Sequence, residues 1–301
     1  MYYNLITVLG ATATGKTKLA VHLARIFNGE IISADSRQVY RGMNIGTGKD
    51  LEDYSNEDSA IQYHLIDIID PEKEFSLFEF RKKFSEAFAL IEHKNKKPFL
   101  VGGTGLYLSS VLQNYELREA DFSSPRVEEL KKLTYEELKE MLLSKKTRIH
   151  NTTDLVNKER IIRALLISEA EPGSLQEFPQ INSFVLGIRL EREEIKKRIT
   201  ERLTQRLEVG MVEEVKALLD SGLTYEKLNE FGLEYRYISL YLKGELNYND
   251  MFKKLNSSIH SFAKRQMTWF RKMEREGIKI NWIDGPDYNN AEQIIMKQIN
   301  V

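Results

Sequence analysis

The chain contains no cysteine. That excludes disulfides, a thiol nucleophile and cysteine-bound zinc or iron–sulfur clusters, and it fits a reducing compartment. Net charge is nearly absent as well: 44 Lys and Arg stand against 45 Asp and Glu, a formal charge of −1. A globally basic nucleic-acid binder is thereby excluded, whereas a local basic face is not. No apolar run approaches the ~20 residues of a membrane span. An apolar strand pattern starts at Leu5, which leaves no room for a leader peptide. No internal repeat or low-complexity tract is present. The expectation is a cytoplasmic globular enzyme, and 301 residues suffice to bury a full core.

Against these absences stands one strong motif. Residues 5–9 read as a short apolar strand and run into Gly10-Ala11-Thr12-Ala13-Thr14-Gly15-Lys16-Thr17, which fits G-x-x-x-x-G-K-[ST] throughout. A helical pattern follows at Leu19, Ala20, Leu23 and Ala24. Gly10 and Gly15 allow a tight turn, so that loop N–H groups and a helix N-terminus face a phosphate or diphosphate. Lys16 adds a point charge and Thr17 a hydroxyl ligand for Mg²⁺. The motif is a nucleotide- and ATP-binding signature shared by kinases, NTPases and some transferases.

Strand patterns at 5–9, 30–33 and 99–101 alternate with helical stretches, including 76–93, which predicts a parallel sheet flanked by helices. Ligands of such a sheet lie beyond the C-terminal strand ends, where residues 10–17, 35–38 and 103–104 converge. Between 116 and 181 the pattern turns helical, at 127–133, 135–143 and 155–168, with turns at Ser123-Ser124-Pro125 and Glu171-Pro172-Gly173. The expected organisation is therefore an α/β phosphate-loop core, 1–115 and 182–301, with an all-helical insertion at 116–181. A buried strand is expected within 182–190, long helices at 192–221 and 248–276, and a short strand and final helix from 279.

Asp35 ends the second predicted strand facing the loop, where a carboxylate can take a proton or hydrogen bond from a nucleophile; the alternative is a turn-capping Asp. Ser36, Gln38 and Tyr40 are neighbours suited to a base or ribose. Phe99-Leu100-Val101 runs into Gly102-Gly103-Thr104 with no acid, although such a strand in an NTPase usually ends in one that helps hold Mg²⁺. Asp67 and Asp70 are possible substitutes. Arg198, Arg202 and Arg206 share one helical face and suit either an anion clamp or a solvated surface. From 253 to 275 there are seven Lys or Arg and one Glu, interleaved with His260, Trp269 and Phe270. That pattern suits RNA, or equally a packed helix with a charged outer face.

Taken together, these blocks resemble the tRNA dimethylallyltransferases. The resemblance runs from about 5 to 284 and includes Ile32-Ser33-Ala34-Asp35-Ser36-Arg37-Gln38-Val39-Tyr40-Arg41-Gly42-Met43, Ile45-Gly46-Thr47-Gly48-Lys49, Val101-Gly102-Gly103-Thr104-Gly105-Leu106-Tyr107, Arg160-Ile161-Ile162-Arg163-Ala164-Leu165 and Ala263-Lys264-Arg265-Gln266-Met267-Thr268-Trp269-Phe270-Arg271. It implies prenyl transfer from dimethylallyl diphosphate to the N6 amine of the adenine 3′ to the anticodon. In that reading residues 10–17 (Gly10, Ala11, Thr12, Ala13, Thr14, Gly15, Lys16, Thr17) and Arg198 hold the diphosphate, and Thr17 places Mg²⁺. Lys16 and Arg202 neutralise the leaving group, Asp35 receives the amine proton, and Thr104 contacts the target nucleotide. The tRNA anticodon stem-loop is expected at Asp35, Ser36, Arg37, Gln38, Thr104, Arg126, Glu159, Arg160, Ile161, Ile162, Arg163, Lys264, Arg265, Gln266, Trp269 and Arg271. Phe231-Gly232-Leu233-Glu234-Tyr235-Arg236 departs from the family's Ile-Gly-Tyr-Arg-like stretch, and Leu166 stands where a Glu is common. The absence of a following zinc finger resembles the bacterial branch, and a monomer is expected. Three rivals are a small-molecule kinase using ATP, prenyl transfer to free adenine nucleotides, and a non-catalytic nucleic-acid-binding module.

Overall fold

The computed structural model describes residues 3–55, 60–115, 117–122, 124–145, 155, 157–170 and 178–299. Six parallel strands form one sheet: β1 (Leu5–Gly10), β2 (Gly29–Ala34), β3 (Tyr63–His64), β4 (Lys97–Gly102), β5 (Ser183–Arg189) and β6 (Asn281–Asp284). Their order is β3-β2-β4-β1-β5-β6. β1 is central, pairing Val8 with Val101 of β4 and with Leu186 of β5. Every residue of β1 and β2 is buried, as expected of parallel strands covered on both faces. On one face Ile6, Val8, Ile31, Phe99, Val101 and Leu186 pack against α1 (Lys16–Ile26) and α12 (Tyr288–Ile299). The alternate positions Leu5, Leu9, Ile32, Leu100 and Val185 are buried as well.

The connecting helices explain themselves locally. α2 (Leu77–His93) starts at a capping box in which Ser76 and Glu79 each accept the other's backbone N–H. α3 (Gly105–Leu112) follows β4 directly. The stretch expected as one helix at 192–221 is two, α7 (Arg192–Glu208) and α8 (Met211–Asp220). Gly210, at φ 104°, adopts a backbone conformation that ends the first and caps the second. α9 (Tyr225–Glu230) and α10 (Leu233–Leu242) precede α11 (Tyr248–Arg275), whose buried stripe is Met251, Leu255, Ile259, Ala263, Gln266, Phe270 and Met273. One polar residue, Gln266, interrupts that apolar stripe.

The chain divides into two compact units, Met1–Asn114 with Pro179–Val301, and Tyr115–Phe178. The second contains α4 (Pro125–Lys132), α5 (Tyr135–Ser144) and α6 (Lys158–Glu169) around its own core of Leu130, Leu138, Leu142, Ile161 and Leu165. α6 begins at Lys158 rather than 155, because Asn157 caps it by accepting the Arg160 N–H at 2.9 Å. The turn expected at Glu171-Pro172-Gly173, and Ser123 of the other turn, lie outside the described residues. Residues 179–181 belong with the first unit, where the Gln180 carbonyl accepts from Asn4 Nδ2 at 2.7 Å. Among the described residues no helix is long and apolar enough to cross a membrane.

The two-residue β3 was not legible in the sequence, and it carries an important tie. Glu30, 1 % exposed on β2, accepts from His64 Nε2 (2.8 Å), Lys96 Nζ (2.9 Å) and Lys94 Nζ (3.1 Å). Burial alone would raise its pKa, but hydrogen bonds from His64, Lys96 and Lys94 together outweigh burial and hold it at about 2. The folded-state value lies below the unfolded one. This contribution is therefore complete above about pH 4.5 and is lost as pH falls through about 2. Glu30→Gln should cost roughly 2–4 kcal/mol at pH 7, near the lower end for breaking a buried pair, since both lysines reach solvent. Urea denaturation of both proteins at pH 7 and pH 3 measures this. The gap should narrow at the lower pH, and equal stabilities at pH 7 would contradict the role.

Candidate active site

The loop between β1 and α1 sits at the C-terminal edge of the central strand. Gly15 caps α1 at φ 83° and Ala13 also has positive φ, 64°. The backbone N–H groups of 13–17 find no backbone acceptor among the described residues. Together with the N-terminus of α1 they form a ring of donors open to an anion. Inside the loop, Thr14 Oγ1 donates to the Ala11 carbonyl at 2.9 Å. Two long-range bonds fix its outer turn. Thr12 N–H donates to Gln266 Oε1 at 2.8 Å, and Arg202 of α7 donates to Thr12 Oγ1. Gln266 Nε2 in turn donates to the Gly103 carbonyl at 2.9 Å. A single amide from α11 thus bridges the loops after β1 and β4, which explains the polar residue in that helix's buried stripe.

Asp35 follows β2 at the same edge. Its Oδ1 accepts the Arg37 N–H at 2.9 Å, which fixes the carboxylate, and the Ser36 N–H donates to Thr104 Oγ1 at 3.1 Å. Asp35 and Thr104 are therefore held together by the ends of adjacent strands. Gln38 is turned inward, accepting from Ser33 Oγ at 3.0 Å and donating to the Gly48 carbonyl at 2.9 Å. The sequence motif at 45–49 has a structural reason. Glu214 of α8 accepts the successive N–H groups of Asn44 and Ile45 (2.7 Å each) and Gly46 (2.9 Å), and also the Tyr235 hydroxyl (2.8 Å). Lys49, 1 % exposed, donates to the Tyr40 carbonyl and Asn44 Oδ1 and pairs with Asp67. Gly48, at φ 64°, lies where any Cβ would overlap the Arg206 guanidinium.

Lys16, Arg202 and Arg206 interact here with Asp35, Asp50 and Glu234. Arg206 is buried and pairs with Asp50, Nη2 to Oδ2, at 3.3 Å. Enclosure in protein lowers the Lys16 pKa to about 8; the nearby Asp35 pulls it up, and the nearby Arg202 pushes it down further. Arg202 falls to about 10, mainly by burial and then by the Arg206 charge. Glu234, in the first turn of α10, shares this field; burial raises its pKa against the pull of its own backbone N–H and then of Arg206 and Arg202. Arg202, Arg206 and Glu234 close a small cavity otherwise walled by Ile199, Leu203, Met211 and Ile259.

Several residues expected at the site are engaged elsewhere. Arg198 donates to Glu194 at 2.6 Å, one turn back on α7, so it forms the surface pair and not a loop contact. Asp67 holds Lys49, and Asp70 accepts from Arg41 at 2.7 Å. Trp269 Nε1 donates to Ser109 Oγ at 2.8 Å and its ring packs on Gly105, with the Lys272 ammonium 5.0 Å from the ring centroid. Gln266 is 7 % exposed, and both ends of its amide are occupied. Lys264, Arg265 and Arg271 are exposed on α11. In the second unit Ile161 and Ile162 are core residues, at 0 % and 6 % exposed, while Glu159, Arg160 and Arg163 are exposed. Arg163 lies 5.0 Å from the Phe122 ring centroid. Arg126 is paired with Glu129 (2.8 Å) and Glu169 (3.1 Å). Sequence reasoning missed Asp50, Glu214 and Glu234, whose roles are set by tertiary contact; only the glycines at 46 and 48 hinted at neighbours packed close.

A family model described as IPP transferase matches residues 38–273, and one described as isopentenyl transferase matches residues 3–61. A curated relative, tRNA dimethylallyltransferase 1 of Geotalea uraniireducens, is 51 % identical over 98 % of both chains. Among solved structures, a tRNA isopentenylpyrophosphate transferase from Bacillus halodurans is 32 % identical, with a TM-score of 0.69 over 98 % of this chain and 95 % of that one. A eukaryotic dimethylallyltransferase solved acting on tRNA shares the fold, with a TM-score of 0.76 at 23 % identity over 98 % of this chain and 78 % of that one.

Replacing the bridging amide tests the loop geometry. Gln266→Leu keeps the volume but leaves the Thr12 N–H and Gly103 carbonyl unpaired, at a cost of roughly 2–4 kcal/mol. Calorimetric titration with inorganic diphosphate should show about tenfold weaker binding at a temperature where the variant is folded. Unchanged affinity would mean that the bridge does not set the loop.

Proposed function

Because this chain belongs to the IPP transferase family, we propose that it transfers a dimethylallyl group from dimethylallyl diphosphate to the N6 amine of the adenine 3′ to the anticodon in tRNA. The observation that carries the donor assignment is the ring of N–H groups at 13–17 beside Lys16 and Arg202. Such a site takes the diphosphate of the donor and stabilises the charge that grows on it as the allylic C–O bond breaks. The N6–C bond forms from the opposite side, and the amine proton passes to Asp35. The Arg37 N–H occupies only one oxygen of that carboxylate, leaving the other for the proton. Thr104 Oγ1, already accepting from Ser36, donates to no acceptor among the described residues, so its proton can go to the acceptor nucleotide. An adenine within a stacked anticodon loop must leave its stack to reach this edge.

Mg²⁺ fits the residues present. Thr17 lies in the first turn of α1 beside the N–H ring, and its hydroxyl makes no hydrogen bond among the described residues. A hard cation held by one hydroxyl and the donor's own oxygens would supply further neutralisation of the leaving diphosphate. The exposed Lys264, Arg265 and Arg271 of α11, and Arg160 and Arg163 of α6, supply candidate phosphate contacts for tRNA.

Incubation with Mg²⁺, dimethylallyl diphosphate and unmodified tRNA, followed by weighing of the digested nucleosides, tests the proposal. A prenyl-sized gain on adenosine is expected, and Asp35→Asn should slow it about 10²–10⁴-fold without unfolding the protein. Phosphate transfer from ATP with no prenyl gain would instead return the site to the kinases. Equal turnover on free adenine nucleotides would remove tRNA as the preferred acceptor.

A further inference from the structure

Glu234 is a carboxylate with no assigned role in the transfer, beside two arginines of α7. It projects from the first turn of α10 into the cavity whose other polar walls are Arg202 and Arg206 of α7. Among the described residues it makes no direct ion pair with either, although both arginines are close enough to act on it. Arg206 already has a partner in Asp50, whereas among the described residues Arg202 holds only the neutral hydroxyl of Thr12. Asp35 also acts on Glu234, and the Arg37 guanidinium passes close by at Gly232. The apolar walls Ile199, Leu203, Met211 and Ile259 hold no charge, so these groups interact across a medium that screens weakly.

We infer that Glu234 is a positioning residue for leaving-group release: across the cavity, its charge offsets that of Arg202 and Arg206, which keeps the pair from retaining the diphosphate product. This rests on the donor site proposed above. During transfer the arginines face growing negative charge and stabilise it. After transfer the diphosphate must leave, and an uncompensated arginine pair would hold it. A carboxylate behind the arginines weakens that hold throughout, most where product would otherwise linger. When diphosphate occupies the loop, its charge and that of Asp35 disfavour an ionised Glu234, while Arg202, Arg206 and Arg37 favour it. Asp50 also acts on Arg202, and both arginines act on Lys16. The offset therefore operates only where Glu234 is ionised, and it fades as pH falls.

The test compares wild type, Glu234→Gln and Glu234→Asp at pH 6 and pH 8.5. Inorganic diphosphate affinity is measured by calorimetry, and kcat and KM for dimethylallyl diphosphate on tRNA by turnover. Glu234→Gln should bind diphosphate about five- to tenfold tighter at pH 8.5, with kcat and KM falling together because release becomes limiting. The difference should be no larger at pH 6, since protonation can only remove the Glu234 charge, and Glu234→Asp should restore wild-type behaviour. A Glu234→Gln protein with wild-type affinity and turnover at both pH values, or with weaker diphosphate binding, overturns the inference. If wild type neither binds diphosphate nor moves a prenyl group, the donor-site reading fails and takes this one with it. Binding and turnover in wild type with no change in the variant would fail the Glu234 assignment alone.

Discussion

Half-buried cations, Lys16 and Arg202, beside a ring of backbone N–H donors are the constraint around which this protein is organised. Desolvation that Asp35 only partly offsets lowers the Lys16 pKa to about 8. Holding that charge at neutral pH costs the folded state on the order of 3 kcal/mol. The penalty is complete below about pH 8 and fades as pH rises toward the ordinary lysine value, since the folded-state value is the depressed one. Arg202 carries a similar burden. Such an arrangement destabilises the empty protein and favours a polyanion that brings its own charge.

The rest of the core serves to hold those charges in place. A parallel sheet gathers the ends of β1, β2 and β4 at one edge, with β1 central. Gln266 ties two of those ends to α11, and Glu214 gathers three successive N–H groups of the neighbouring loop onto α8. Arg206 rests on Gly48, where a side chain would displace it, and is neutralised by Asp50. Lys49 is buried beneath the same loop. The Gln266, Glu214 and Arg206 contacts each join residues more than 150 positions apart in sequence, so the site is assembled by tertiary packing.

Much of this was legible in the sequence, and the reason is local. The strands of the first third are apolar runs bounded by glycine or polar residues, so their positions could be read, as could the phosphate-loop motif and the place of Asp35 and Thr104 at strand ends. β3 escaped because two residues carry no periodicity. The helix expected over 192–221 looked continuous because Gly210 alone interrupts a good amphipathic pattern, and its positive φ becomes evident only in three dimensions. Spacing placed Arg198, Arg202 and Arg206 on one face but could not say which would be claimed by Glu194. Basic and aromatic residues near 269 suggested nucleic-acid stacking, whereas Trp269 is fixed by Ser109 and Gly105. Ile161 and Ile162 matched a family block, yet their side chains build the core of their own unit. Glu234 lay in the stretch where this chain departs from its family, so resemblance was silent there and the cavity supplied the reason for it.

Stability and function should therefore oppose each other at the loop lysine. Melting of wild type and Lys16→Met, with and without inorganic diphosphate and Mg²⁺, measures this directly. The account predicts that the free variant melts higher than the free wild type, because a poorly compensated charge is gone, and that diphosphate stabilises only the wild type. A variant that melts lower, or that diphosphate stabilises as much as wild type, would contradict it.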